Sequence, residues 1–162
     1  MRKVFAGLAI LLMVAVAAEF FLAASGAFNP APREESFQAH RMVGYLILLC
    51  AVLLTAVAAL AKVPRRLIGL SALIAGLVIV QSAIRGIAGA VGDTGASATA
   101  GQLIFGLHAV NGLVIMAVAG MIVRQARALS TSAGAGEDTG ASGSTARPAR
   151  AARPARAARA AS

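Results

Sequence analysis

The stretch MVGYLILLCAVLLTAVAALA, residues 42–61, runs for 20 residues without a charge. A helix rises about 1.5 Å per residue, so this run covers about 30 Å, the thickness of a bilayer's hydrocarbon layer. It reads as a membrane span. Runs of the same kind lie at 4–24, 67–90 and 103–123, with few charges inside them: Glu19 in the first, Arg85 in the third. Together the four runs use most of the 162 residues and leave no room for a separate soluble domain. The composition agrees, with 59% hydrophobic residues and a mean hydropathy of +0.80, where soluble domains sit near half apolar. The expected fold is all-α, an integral membrane four-helix bundle over 1–129 followed by a disordered tail over 130–162.

Charge sets the expected orientation. Arg2 and Lys3 precede the first run, Lys62, Arg65 and Arg66 separate the second from the third, and Arg124 and Arg127 follow the fourth. The opposite side has Arg33, Arg41 and Arg85, offset by Glu34, Glu35 and Asp93. This positive-inside pattern predicts a multi-pass cell-membrane protein with both termini cytoplasmic. The net charge of +9 is then a topology signal, and no nucleic-acid partner is expected; the lipid bilayer is, and another membrane protein would also suit such a bundle. Cys50 is the only cysteine, which excludes an intrachain disulfide and any Cys-based zinc or iron–sulfur cluster. Met1-Arg2-Lys3, an apolar stretch and Ala23-Ala24-Ser25-Gly26-Ala27 also have the order of a cleaved signal peptide. Against cleavage stand the length of the apolar run and Glu19 within it.

Residues 25–39 form the first outer loop, where Asn29-Pro30-Ala31-Pro32 stops helix continuation. Ser36 is placed to cap the helix that carries His40 into the membrane. The inner turn at 62–66 is tight, which makes spans two and three antiparallel neighbours. The second outer loop, 92–97, is short and rich in small residues. From Ser130 the chain is mainly Ala, Gly, Ser, Thr, Pro and Arg, and residues 146–151 recur at 152–157. With no apolar face to bury, this tail is expected to be disordered. Its arginines could also draw it towards anionic lipid, at about 1 kcal/mol each near the surface.

The only two histidines, His40 and His108, lie near the outer ends of spans two and four. Each is followed four residues later by glycine, Gly44 and Gly112, on the same helix face. An imidazole with a notch one turn below it suits the edge of a flat macrocycle, and facing imidazoles are how four-helix bundles hold haem iron. Both spans run from outside to inside, so the two faces can oppose one another. The matched order also suggests a parallel repeat of two helical hairpins, spans one–two and three–four. Counting along the helices from the inner charges, however, leaves the histidines offset by roughly 5 to 9 Å. The expected cofactor is haem b with His40 and His108 as iron ligands. The opposing reading is that both histidines only hydrogen-bond across helices.

Glu19, Gln81 and Arg85 lie at a similar depth, and Asn111 sits beside His108. Ionisable groups within spans usually face the bundle interior and find a partner. One reading pairs Glu19 with Arg85 structurally. The other makes Arg41 and Arg85 counter-charges for haem propionates, with Glu19 orienting a ligand or handling a proton. In the repeat, Glu19 aligns with Gln81. Asn111 either fixes an imidazole or bridges helices.

The stretches Glu19-Phe20-Phe21-Leu22-Ala23-Ala24-Ser25-Gly26-Ala27-Phe28, Phe37-Gln38-Ala39-His40-Arg41-Met42-Val43-Gly44-Tyr45 and Leu107-His108-Ala109-Val110-Asn111-Gly112 resemble an uncharacterised bacterial family of four-span membrane proteins, over roughly residues 4–127. More distantly, the plan is similar to one four-helix half of haem A synthase, which holds haem between histidines of its second and fourth helices. The resemblance implies haem at His40 and His108, and His40-Arg41 matches the His-Arg step of that enzyme. Where the enzyme has a glutamate three residues before this histidine, the chain has Phe37, so the synthase chemistry is not implied. No nucleophile–base pairing or metal cage is visible, and no catalytic residue is assigned. Two functions remain: a b-type haem protein for electron transfer, haem handling or redox sensing, and a non-catalytic membrane subunit or scaffold with a structural polar cluster. A small transporter or channel fits less well, because no span is broken by proline.

Overall fold

A computed structural model describes residues 1–93 and 98–142 of the chain. The elements are α1 (Arg2–Ala27), α2 (Arg33–Ser36), α3 (Gln38–Leu60), α4 (Arg65–Asp93) and α5 (Ala98–Ser142). All but α2 are long and apolar enough to cross a membrane, with mean hydropathies of 2.4, 2.6, 2.3 and 2.0 in their best windows. Each expected span is present, and most of its ends run further than hydropathy alone suggests. α5 goes furthest, past Ser130 to Ser142. Residues 143–162 and most of the second outer loop lie outside the described residues.

α1 packs on α3 and α5, and α4 packs on the same two helices. α1 and α4 therefore face each other across one diagonal of the bundle, and α3 and α5 across the other. Members of each diagonal pair run in the same direction. This is the layout of an up-down-up-down bundle built from two hairpins, α1–α3 and α4–α5.

The interior mixes a few large residues with many small ones. Phe5, Leu12, Leu54, Leu67, Ile74 and Ile122 are fully buried, beside Ala9, Ala51, Ala58 and Ala119. Lipid tails compete equally for apolar side chains, so close approach over small residues is what favours association of membrane helices. Ser71, also fully buried, donates to the Leu67 carbonyl at 2.9 Å and so leaves no unmet donor. Many large apolar residues, Leu11, Phe21, Leu49 and Leu113 among them, are exposed on the outer surface, where lipid would meet them.

At the end carrying α2, Asn29 Oδ1 accepts from the Ala31 N–H at 3.0 Å, holding the proline loop as a local turn. Ser36 does not cap α3: its hydroxyl donates to the Ala31 carbonyl at 2.7 Å instead. The N-cap of α3 is Phe37, with no side-chain cap. Gly26 lets α1 and the α2–α3 junction meet, since a Cβ there would lie 2.7 Å from the Ser36 carbonyl oxygen.

Candidate functional site

Five polar residues from α1, α3, α4 and α5 converge in the half of the bundle nearer α2. On the α1–α3 hairpin, Glu19 Oε2 contacts His40 Nδ1 directly. Both side chains are mostly buried, 12% exposed for Glu19 and 24% for His40. The second carboxylate oxygen, Oε1, is buried and has no hydrogen-bond partner among the described residues. It lies over Gly44, where an added Cβ would sit 3.4 Å from it.

On the α4–α5 hairpin the equivalent places are filled by neutral groups. The Gln81 amide donates to the His108 carbonyl at 2.8 Å, and His108 Nδ1 lies 3.3 Å from the Gln81 carbonyl. Asn111 Nδ2 donates to the Leu77 carbonyl at 2.9 Å and to Gln81 Oε1. Gly112 receives Phe20 and Gln81, at 3.4 and 3.6 Å from an added Cβ. Glu19–His40–Gly44 and Gln81–His108–Gly112 thus occupy matching places in the two hairpins. Neither glycine notch is empty.

The two imidazoles meet across the α3–α5 diagonal with ring centroids 6.1 Å apart and planes at 56°. They lie at one level. The offset expected from counting to the inner charges is therefore absent, and Lys62 and Arg124 stand at different distances along the bundle from this level, 22 and 16 residues from their histidines. Carboxylates and carbonyls only accept hydrogen bonds, so in a neutral imidazole at either place the proton belongs on Nδ1 and the lone pair on Nε2. This arrangement of the outer nitrogen is the one that orients histidines as metal ligands.

Arg41 and Arg85 line a cleft of about 120 Å³ between α3 and α4, with His40, Gln81, Ser82 and His108. Arg41 is engaged with α2, donating to the Glu34 carbonyl and lying 3.4 Å from its carboxylate. Arg85 is exposed. The expected Glu19–Arg85 pair is not formed: α1 and α4 are diagonal, and Glu19 takes its neighbour on α3. No group of three or more His, Cys, Asp or Glu capable of holding a bare metal ion occurs among the described residues.

Three aromatic residues at the site were given no role from the sequence. Phe37 meets the His40 ring edge-on at 6.1 Å, Phe105 stacks on the His108 ring at 5.2 Å, and Phe20 fills the Gly112 notch. The signal for two of them is plain in hindsight. Phe37-x-x-His40-x-x-x-Gly44 and Phe105-x-x-His108-x-x-x-Gly112 are one motif written twice, and i, i+3 residues are neighbours on a helix surface. Phe37, the departure from the synthase pattern, is therefore part of this chain's own repeat.

No curated protein and no solved structure matches the chain. Residues 19–88 are similar to a family of unknown function, DUF6220, in a match that starts at Glu19, takes in His40 and Gln81, and ends before α5.

Proposed function

We propose that this membrane protein binds haem b in the cell membrane, with His40 and His108 as the two axial ligands and both termini cytoplasmic. One observation carries the reading: two imidazoles from diagonal helices lie 6.1 Å apart, each with Nδ1 against an acceptor and Nε2 left to bind. Two imidazole–metal bonds of about 2 Å, with half a ring behind each nitrogen, add up to roughly the same separation. Arg41 and Arg85 on the cleft offer positive charge to propionates. The separation of the rings suits an iron between them; the space, as packed, does not. A cleft of about 120 Å³ is well below the roughly 300–1,000 Å³ of ordinary ligand pockets, so a macrocycle has to displace Phe20 and Gln81. Electron transfer, haem handling and redox sensing are the roles open to such a centre.

The filled notches favour a second reading, in which the same residues clasp each hairpin in a scaffold without a cofactor. A redox spectrum separates the two. Protein expressed with adequate haem should carry about one haem per chain and show the sharp reduced α band of a low-spin, six-coordinate centre. His40→Ala or His108→Ala removes one of two iron bonds and should give high-spin or haem-free protein. Phe20→Ala, which opens the space and touches no ligand, should speed haem uptake. A wild type still colourless after haem titration leaves the scaffold reading.

A further inference from the structure

A second site lies at the other end of the bundle, in a groove of about 560 Å³ between α1 and α5. Its lining is Met13, Ala117, Gly120, Met121, Val123 and Arg124. Gly120 gives the groove its depth, since a Cβ built there meets only the Met13 methyl, at 4.0 Å. Five of the six residues are apolar or small, and the sixth is an exposed arginine that forms no ion pair with any described residue.

The depth of that arginine is unusual. Met13 faces Gly120 and lies eleven residues along α1 from Arg2, while Arg124 is only four residues beyond Gly120. At about 1.5 Å per residue, Arg124 sits ~10 Å nearer the membrane centre than the start of α1. The α3–α4 turn, with Lys62, lies at that same end. An arginine within a span is costly unless an anion meets it, and its flexible stem recovers only part of the distance by reaching towards the surface. No carboxylate among the described residues pairs with it. We propose that the groove binds an anionic phospholipid, one acyl chain lying along Met13 and Gly120 and the phosphate resting on the Arg124 guanidinium. The chemistry of the groove, apolar for its length and cationic at its surface end, matches that amphiphile.

The test is native mass spectrometry of the protein released from nanodiscs of equal phosphatidylglycerol and phosphatidylcholine. Wild type should retain one phosphatidylglycerol per chain in preference to phosphatidylcholine, and excess inorganic phosphate should not displace it. Arg124→Gln should lower that retention about fivefold, at least the effect of one cation at an anionic headgroup. Gly120→Leu, which fills the groove and leaves every charge in place, should lower it too. Arg124→Lys should keep most of the binding, a control for variants that fail to fold. Arg66→Gln removes the same charge outside the groove and should change little. Equal retention of the two lipids, displacement by phosphate, or equal losses from Arg66→Gln and Arg124→Gln would overturn the proposal.

Discussion

Glu19 is the one acidic residue within the four spans, and its position decides how the polar cluster is wired. Its Oε2 takes His40, and its Oε1 lies buried over Gly44 without a partner. In the second hairpin the same place holds Gln81, an amide that both donates and accepts. The repeat therefore has a charge in one half and a neutral hydrogen-bond network in the other. Removing one member of a close, mostly buried pair leaves the other without its counterpart. Glu19→Gln and His40→Gln should show a coupling of about 1–3 kcal/mol in a double-mutant cycle, read from unfolding in detergent. Glu19→Gln and Arg85→Ala, on diagonal helices, should be additive. Coupling at 19 and 85 with none at 19 and 40 would reverse this pairing.

At the scale of the element, the α3–α4 turn shows how a short connection is enforced. The Val63 N–H reaches the Ala58 carbonyl at 3.2 Å and the Lys62 N–H reaches Ala59, also at 3.2 Å. This is the paired closure of a helix end by a left-handed residue. That residue is Lys62, at φ 50°, the one non-glycine residue with positive φ among those described. A side chain there crowds its own backbone, and glycine does not. Val63, buried at 4% exposure, seals the turn against the helices, and Pro64 stands where a donor is not needed at the start of α4. Lys62→Gly is thus expected to raise stability by roughly 1 kcal/mol, measured as a higher melting temperature in detergent. A lower one would mean that the lysine side chain, and not the backbone, holds the turn. From sequence the turn is legible as tight; the left-handed lysine is not, because glycine is the residue that usually marks such a position.

For the whole molecule, the governing fact is the exchange of solvent. Apolar side chains cover the outside, small ones line the contacts between helices, and the polar groups gather inside near one end. Four antiparallel helices put the α1–α3 and α4–α5 connections at one end and the chain's start and the α3–α4 turn at the other. Positive charge is concentrated at the latter, so reporters fused at Val63 and after Ser130 should read cytoplasmic, and those near Asn29 and Ala96 external. An external reading at Val63 would invert the protein and place the Arg124 groove in the other leaflet.

Number of spans, their approximate limits and the order of the polar residues along each helix were determined by the amino-acid sequence alone. Hydropathy is local, and one bilayer thickness fixes how many apolar residues a span needs. The His–Gly repeat was equally plain, since it needs only the period of a helix. Which groups touch was decided by the tertiary structure. Periodicity tells which residues share a face but not which helix that face meets, and contacts such as Gln81 with His108 span 27 residues of chain. Once α1 and α4 fell on a diagonal, Glu19 could reach His40 and not Arg85, and α1 was free to fill both glycine notches. The level of the two histidines was likewise settled only by packing, because the inner charges that seemed to mark the boundary lie at different depths on α3 and α5.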